Sequence, residues 1–181
     1  MRTALQFSGG KDSLALLMHM RALWPFLTVI HVDSGDLPLS ARMMIEKLRL
    51  SVPHFKTIKA DSLGYRAKHG DPTGRDWTRC CNENIWMPMN TALHEMGFKQ
   101  VIRGSKACDP HIHVVYPGEV VEGMLYTFPL WHWSDKDVED YLGPMLPDAY
   151  RNGSVGMPDC ATCPVEEACG GRTKDLWKAA A

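Results

Sequence analysis

The 181-residue chain predicts an α/β fold: three layers, α/β/α, around a mostly parallel sheet, followed by an irregular cysteine-bearing C-terminal segment. Three observations carry this. Short apolar or β-branched runs alternate with segments of helical period from the first residues onward. The links between them are short, as in parallel sheets covered by helices on both faces. A composition of 45% hydrophobic and 23% charged residues is that of one ordinary globular domain with room for a sizeable core.

The elements follow in order. Thr3 to Phe7 reads as a buried strand, Ser8 to Ser13 as a polar glycine turn, and Leu14 to Trp24 as a helix stopped by Pro25. Thr28 to Val32 is a β-branched strand ending at the turn Asp33-Ser34-Gly35-Asp36. Residues 39 to 50 have helical spacing, with Arg42, Glu46, Lys47 and Arg49 on the wet side. Pro53 separates them from a third strand, His54 to Lys59. Residues 60 to 79 show no clean period and read as a long loop. Its Arg66, Lys68, His69, Arg75 and Arg79 either face an anionic substrate or form a solvated surface. A helix is expected from near Pro88 to Gly97, with Met89, Leu93 and Met96 on one face. Gln100 to Gly104 is a fourth parallel strand, 107–119 an irregular connection, and Met124 to Pro129 a further strand. Ser134 reads as the N-cap of a helix through Leu142, with Asp137 as the acidic member of a capping box. No internal repeat or linker interrupts the chain.

The chemistry starts at Ser8-Gly9-Gly10-Lys11-Asp12-Ser13. A strand running through a glycine turn into a helix start presents backbone N–H groups without intrahelical partners, and the helix dipole favours an anion there. Gly9 and Gly10 let a phosphate oxygen approach the backbone. Ser8 and Ser13 add hydroxyls and Lys11 a cation. The spacing is not that of a Walker A loop. The plain alternative is a glycine turn with Ser8 or Asp12 as helix cap. In a parallel sheet, ligands lie at the carboxyl ends of the strands, so Asp33 shares this rim, as wall of the site or as a simple Asx turn.

The string SGGKDS resembles the signature of PP-loop ATP pyrophosphatases, in the version of the ATP sulfurylase small subunit and the phosphoadenylyl-sulfate (PAPS) reductase family. Val32-Asp33-Ser34-Gly35 is similar to the VDTG-like turn of that family. The resemblance implies an adenine nucleotide α-hydrolase-like fold, with 1–59 as the nucleotide-binding half, residues 8–13 and Asp33 around the nucleotide, and Lys11 in catalysis.

No signal peptide is expected, so the six cysteines point to metal ligands, catalytic groups or buried thiols before disulfides. Cys160-Ala-Thr-Cys163 is a turn that suits a metal or cluster, or a redox disulfide. Adjacent Cys80-Cys81 suit a cubane better than one tetrahedral zinc, because each thiolate can take a different iron. Cys108 has no motif and reads as a buried thiol.

This pattern resembles the iron–sulfur adenylyl-sulfate (APS) reductases, which bind a [4Fe–4S] cluster through CC and a distant CxxC at about the separation of Cys81 and Cys160. The helix start at Pro88-Met89-Asn90, Ile102-Arg103-Gly104 with Lys106, Pro129 through Leu142, and Tyr150 through Gly156 resemble further segments of the family. The resemblance spans residue 3 to about 165. It implies cluster ligands Cys80, Cys81, Cys160 and Cys163, with 143–171 as the cluster-binding segment and 172–181 as a tail. It also implies that Arg103 and Lys106 meet the anionic end of the substrate.

Two features depart from the family. Its reductases carry a nucleophilic thiolate on a Glu-Cys-Gly-Leu-His tail. Here the last cysteine, Cys169, keeps only Cys-Gly, and it is a candidate nucleophile, a sulfur relay or a packing thiol. The phosphate loop, usually degraded in the reductases, is intact, which suits ATP with Mg2+ as well as adenylyl sulfate. The expected function is therefore an enzyme of sulfur metabolism, for sulfonucleotide reduction or ATP-dependent sulfur activation. ATP-dependent thiolation of a nucleic acid, or a non-catalytic subunit binding nucleotide and cluster, are the alternatives. Expected partners are an adenine nucleotide, a thiol reductant or sulfur-donor protein, and a second copy of the chain. A net charge of −1 gives no support for nucleic acid. No apolar run reaches membrane-spanning length, and a cytoplasmic location is expected.

Overall fold

Strand β1 (Thr3–Gln6) lies inside the sheet, and its central Ala4 and Leu5 are fully buried, one on each face. The computed structural model describes residues 1–73, 77–109, 115–154, 157–158 and 160–163. Among these, β1 pairs in parallel with β2 (Thr28–Asp33) on one side and β4 (Gln100–Ile102) on the other. Strand β3 (Phe55–Lys59) extends the sheet beyond β2. Strands β5 (Val120–Val121) and β6 (Met124–Thr127) close the other end, giving the order β3-β2-β1-β4-β6-β5. Only β5 is antiparallel. It turns into β6 through Glu122 and Gly123, both at positive φ (51° and 77°), as two-residue hairpin loops require.

Helices α1 (Lys11–His19), α2 (Leu39–Ser51) and α6 (Asp135–Leu142) cover one face, packing Leu14, Leu17, Ile45, Val138 and Leu142 against Leu5, Val29 and Ile102. Helix α5 (Met87–Glu95) covers the other, with Leu93 and Met89 against Ala4, Ile30, Val101 and Tyr126. The expected three-layer architecture is present. The capping box at Ser134 and Asp137 is complete in both directions.

Several local expectations needed correction. The first helix begins at Lys11 rather than Leu14, so the phosphate-loop lysine is itself helical. It ends at His19, and a 3-10 stretch over Arg21–Phe26 takes in Pro25. The expected loop of 60–79 contains α3 (Ser62–His69), capped by Asp61, which accepts from Gly64 N–H at 2.8 Å. Its buried residues Ser62 and Arg66, one turn apart, are polar, and this hid the helical face from a reading by hydrophobic period. Helix α4 (Trp77–Cys81) runs through a π-helical turn, Asn82–Trp86, into α5. Pro88 would collide with a carbonyl four residues back in a regular helix, and the widened turn lets the chain continue. Helix α7 (Asp148–Arg151) ends the regular structure among the described residues. No helix among them is long and apolar enough to cross a membrane.

Candidate functional site

The strand order reverses at β1, which leads to β2 on one side and β4 on the other, so a crevice opens at the carboxyl ends of β1 and β4. Residues 8–10 leave β1 on one side of it and residues 103–106 leave β4 on the other. The two meet closely: a Cβ at Gly104 would lie 3.0 Å from the Asp12 carbonyl oxygen and 3.2 Å from the Ser13 nitrogen.

The loop is held by its own hydroxyls. Gly9, at φ 91°, donates its N–H to Ser13 Oγ (3.1 Å), and Gly10 N–H donates to Ser8 Oγ (3.3 Å). Ser13 Oγ donates to the Gly10 carbonyl at 2.9 Å. No side chain caps α1 in the ordinary way, and its ladder begins with Leu14 N–H on Gly10 O at 2.9 Å. The N–H groups of Lys11, Asp12 and Ser13 therefore point out of the helix start without intrahelical partners. That of Lys11 donates to Tyr150 Oη of α7 at 3.0 Å. Met157 packs over Gly9, where a Cβ would come within 2.9 Å of its methyl carbon.

Two buried lysines stand beside the loop. Lys11 (5% exposed) donates to Asp135 at the start of α6 and lies 3.6 Å from Asp12. Lys106 (1% exposed) reaches Asp12 and Asp109, each at 2.7 Å, and Asp135 at 3.4 Å. Burial pulls the Lys106 ammonium down, but the Asp109 and Asp12 carboxylates outweigh it and hold the group above its usual range. The hydrogen bond from Lys11 holds Asp135 below the usual carboxylate range, against a smaller effect of burial. Lys11 and Lys106, chosen from the sequence on opposite sides of the crevice, are thus brought to one charge network. Asp109 and Asp135 were missed. Asp109 had a local signal, an acid one turn after Lys106, whereas Asp135 had none.

Arg103 stands apart. Burial lowers its guanidinium, and the neighbouring phenol is Tyr126, in the layer covered by α5. Asp33 accepts from Gly35 N–H at 3.0 Å and from Lys59. Burial pushes the Asp33 carboxyl up, but those bonds outweigh it and leave it below the usual range. Its geometry is that of an Asx turn on the rim.

A second polar cluster, missed from the sequence, sits where β2 and α3 meet the cysteine turn. Asp36 and Arg66 are buried and 3.1 Å apart. Thr162, between Cys160 and Cys163, donates to Asp36 through its hydroxyl (2.7 Å) and its N–H (3.0 Å), and Arg66 Nη2 donates to Thr162 Oγ1 at 2.6 Å. Arg66 is therefore not a solvated side chain but the cation of an internal pair. Arg79 is exposed and paired with Glu83 at 3.0 Å, Lys68 is exposed, and His69 stacks on Tyr65. Arg75 lies outside the described residues.

Cys80 and Cys81 are half-buried at the end of α4, next to α3, where Tyr65 faces Cys80 and bonds Glu83. Cys160 is buried and Cys163 half-buried, on either side of Thr162, which Arg66 of α3 bonds. Both pairs thus adjoin α3, but no group of three His, Cys, Asp or Glu side chains among the described residues is placed to hold a metal ion. As placed, the four thiols do not form a ligand shell. Cys108, expected to be buried, is exposed on the rim turn after Lys106, with its sulfur 3.5 Å from the Trp133 carbonyl. Cys169 lies outside the described residues.

Comparison with known proteins agrees with this architecture. The family model of the phosphoadenosine phosphosulfate reductase domain matches residues 2–145. Comparison with curated protein sequences finds no match. The phosphoadenylyl-sulfate reductase of Candida auris, solved as a phosphate complex, superimposes with a TM-score of 0.69 at 20% identity, over 88% of this chain and 81% of that one. A predicted tRNA methyltransferase subunit from Methanocaldococcus jannaschii (TM-score 0.47, 19% identity, 77% and 73% covered) is more distant. So is yeast FAD synthetase with FAD (0.49, 12%, 77% and 48%). With most of its length matched and a phosphate-type loop at the switch point of the shared fold, the chain belongs to the phosphoadenosine phosphosulfate reductase domain family and is an enzyme of that nucleotide-based chemical type.

Proposed function

We propose that the crevice between β1 and β4 binds an adenine nucleotide with its phosphates against residues 8–13, for activation of a sulfur-bearing or phosphoryl group. The observation that carries the reading is the pairing at one place of outward-pointing amides at the start of α1 with the buried ammonium of Lys11. Amides and a cation fixed in advance stabilise a departing polyphosphate without reorganisation during the reaction. ATP is the favoured nucleotide, because all six residues of the loop are present, and Mg2+ enters on its phosphates as part of the substrate. An acceptor oxygen attacks the α-phosphorus, the bond to the β-phosphate oxygen breaks, and pyrophosphate leaves with its charge against Lys11 and the loop amides. Arg103 and the Asp33 turn are proposed as outer walls of the same site. A phosphoadenylyl-sulfate reductase of the shared fold has been solved as a phosphate complex, which supports a phosphate-bearing ligand for this fold.

A [4Fe–4S] cluster on Cys80, Cys81, Cys160 and Cys163 is a separate part of the proposal, supported by the cysteine spacing and by the shared contact with α3. It requires the two pairs to close beyond their present positions, and no chemical step here runs through it. Iron and sulfide counts after anaerobic purification test it, and zinc without iron would refute it.

The central experiment compares substrates. Incubation of the full chain with Mg-ATP should release pyrophosphate, and Lys11→Ala should abolish release. Sulfite from adenylyl sulfate in place of pyrophosphate from ATP would move the reading to sulfonucleotide reduction, with the Cys169 thiolate as the candidate nucleophile. Nucleotide binding with neither product would leave a binding subunit.

A further inference from the structure

Lys11 and Lys106 differ in how their charge is satisfied. Lys106 is held by Asp12 and Asp109 at 2.7 Å each, within its own loop and the adjoining helix start, with Asp135 further off at 3.4 Å, and is 1% exposed. It has no open side for a ligand. Lys11 has one close carboxylate, Asp135, with Asp12 further off at 3.6 Å. Asp135 comes from a different element, the first turn of α6, and its side chain is 68% exposed. An exposed carboxylate on the buried ammonium of a phosphate-type loop is an anion that a ligand's phosphate can replace. Withdrawing it returns Asp135 to water and leaves Lys11 open.

We infer that Asp135 is an internal anion that occupies the phosphate seat of Lys11 and so acts as a specificity-determining residue, reserving the loop for ligands anchored at more than one point. This rests on the reading of Lys11 as a phosphate ligand. The physical basis is effective concentration. A tethered carboxylate competes as though present at millimolar level or above. A small free anion meets that competitor with one contact. A nucleotide anchored elsewhere in the crevice keeps those contacts whether or not Asp135 is in place, so the competitor costs it less. The charge count agrees: two ammoniums and three carboxylates in the network leave it one negative charge in excess, which repels small anions until Asp135 moves away.

Calorimetric titration of the full chain with inorganic pyrophosphate and with Mg-ATP tests this in wild type, Asp135→Asn and Asp135→Ser. The serine variant keeps a residue suited to a helix's first turn if the asparagine variant folds poorly. Asp140→Asn, the same charge change on α6 at a residue paired with Lys136, controls for general electrostatics. Both Asp135 variants should bind pyrophosphate at least about threefold tighter, the scale of one partly exposed ion pair, with a smaller gain for ATP and none in Asp140→Asn. Equal or weaker pyrophosphate binding, or an equal gain in the Asp140 variant, overturns the inference while leaving the phosphate site intact. If neither ligand binds any variant, the reading of Lys11 fails and the inference with it.

Discussion

The backbone N–H of Lys11 donates to the hydroxyl of Tyr150 at 3.0 Å, across 139 residues of sequence. A donor at the start of α1 that no residue of the helix can satisfy is thus completed by α7. Tyr150→Phe removes the acceptor and leaves a buried amide unpaired. The expected cost is about 1–2 kcal/mol in urea denaturation. The rise in melting temperature on adding Mg-ATP should be larger in the variant than in wild type, because phosphate would supply the missing acceptor.

Gly104→Ala tests the contact between the two sides of the crevice. The new methyl would sit 3.0 Å from a backbone oxygen of Asp12 and 3.2 Å from the Ser13 nitrogen, and neither is the end of a flexible side chain. Destabilisation of about 1–3 kcal/mol is expected. Nucleotide affinity should fall with it, measured by the same titration on protein that remains folded.

Breaking the Asp36–Arg66 pair should release the cysteine turn. Both side chains are buried, and each also bonds Thr162. Arg66→Ala strands a buried carboxylate, for a cost of about 3–5 kcal/mol. Arg66→Lys retains the charge but not the forked donors, and should lie between. Labelling of Cys160 by a thiol reagent should accelerate in the same order, read by mass spectrometry.

His31 sets a pH dependence. It is 2% exposed, with one ring nitrogen 2.9 Å from the Phe7 carbonyl, and burial lowers its pKa despite that bond. The folded protein therefore holds fewer protons than the unfolded chain below about pH 6.5, so stability should decline as pH falls from there through the lowered value. Denaturation midpoints from pH 7.5 to 5 should show this slope. His31→Asn, which keeps a donor for Phe7, should flatten it.

The parts of this molecule visible in the sequence are those whose cause is local. Ser8 to Ser13 could be placed on a strand-to-helix turn because glycine, hydroxyl and lysine follow one another, and Ser134 with Asp137 announced its own cap. The parallel order came from short links between apolar runs. Helix α3 escaped because the side chains it buries, Ser62 and Arg66, are polar, and Arg66 is matched by Asp36 and Thr162 rather than by a hydrophobic stripe. Tyr150 and Asp135 escaped as partners of Lys11 for a simpler reason. They lie 139 and 124 residues away, and nothing in their own neighbourhoods marks them as facing a phosphate loop.

The bond from Lys11 to Tyr150, and those from Asp36 to Thr162, also bear on how the protein is made. A chain emerging N-terminus first presents its glycine loop early, but the hydroxyl that completes it arrives 139 residues later, and Thr162, which completes the Asp36–Arg66 pair, lies 126 residues beyond Asp36. Until then the Lys11 amide has only water to satisfy it, and the acid of the β2 turn has Arg66 without the two Thr162 donors. Assembly of the nucleotide region is therefore among the last events of folding rather than the first, and such long closures slow the approach to the native state. A nascent chain arrested before residue 150 would hold the signature motif whole in sequence and unfinished in space.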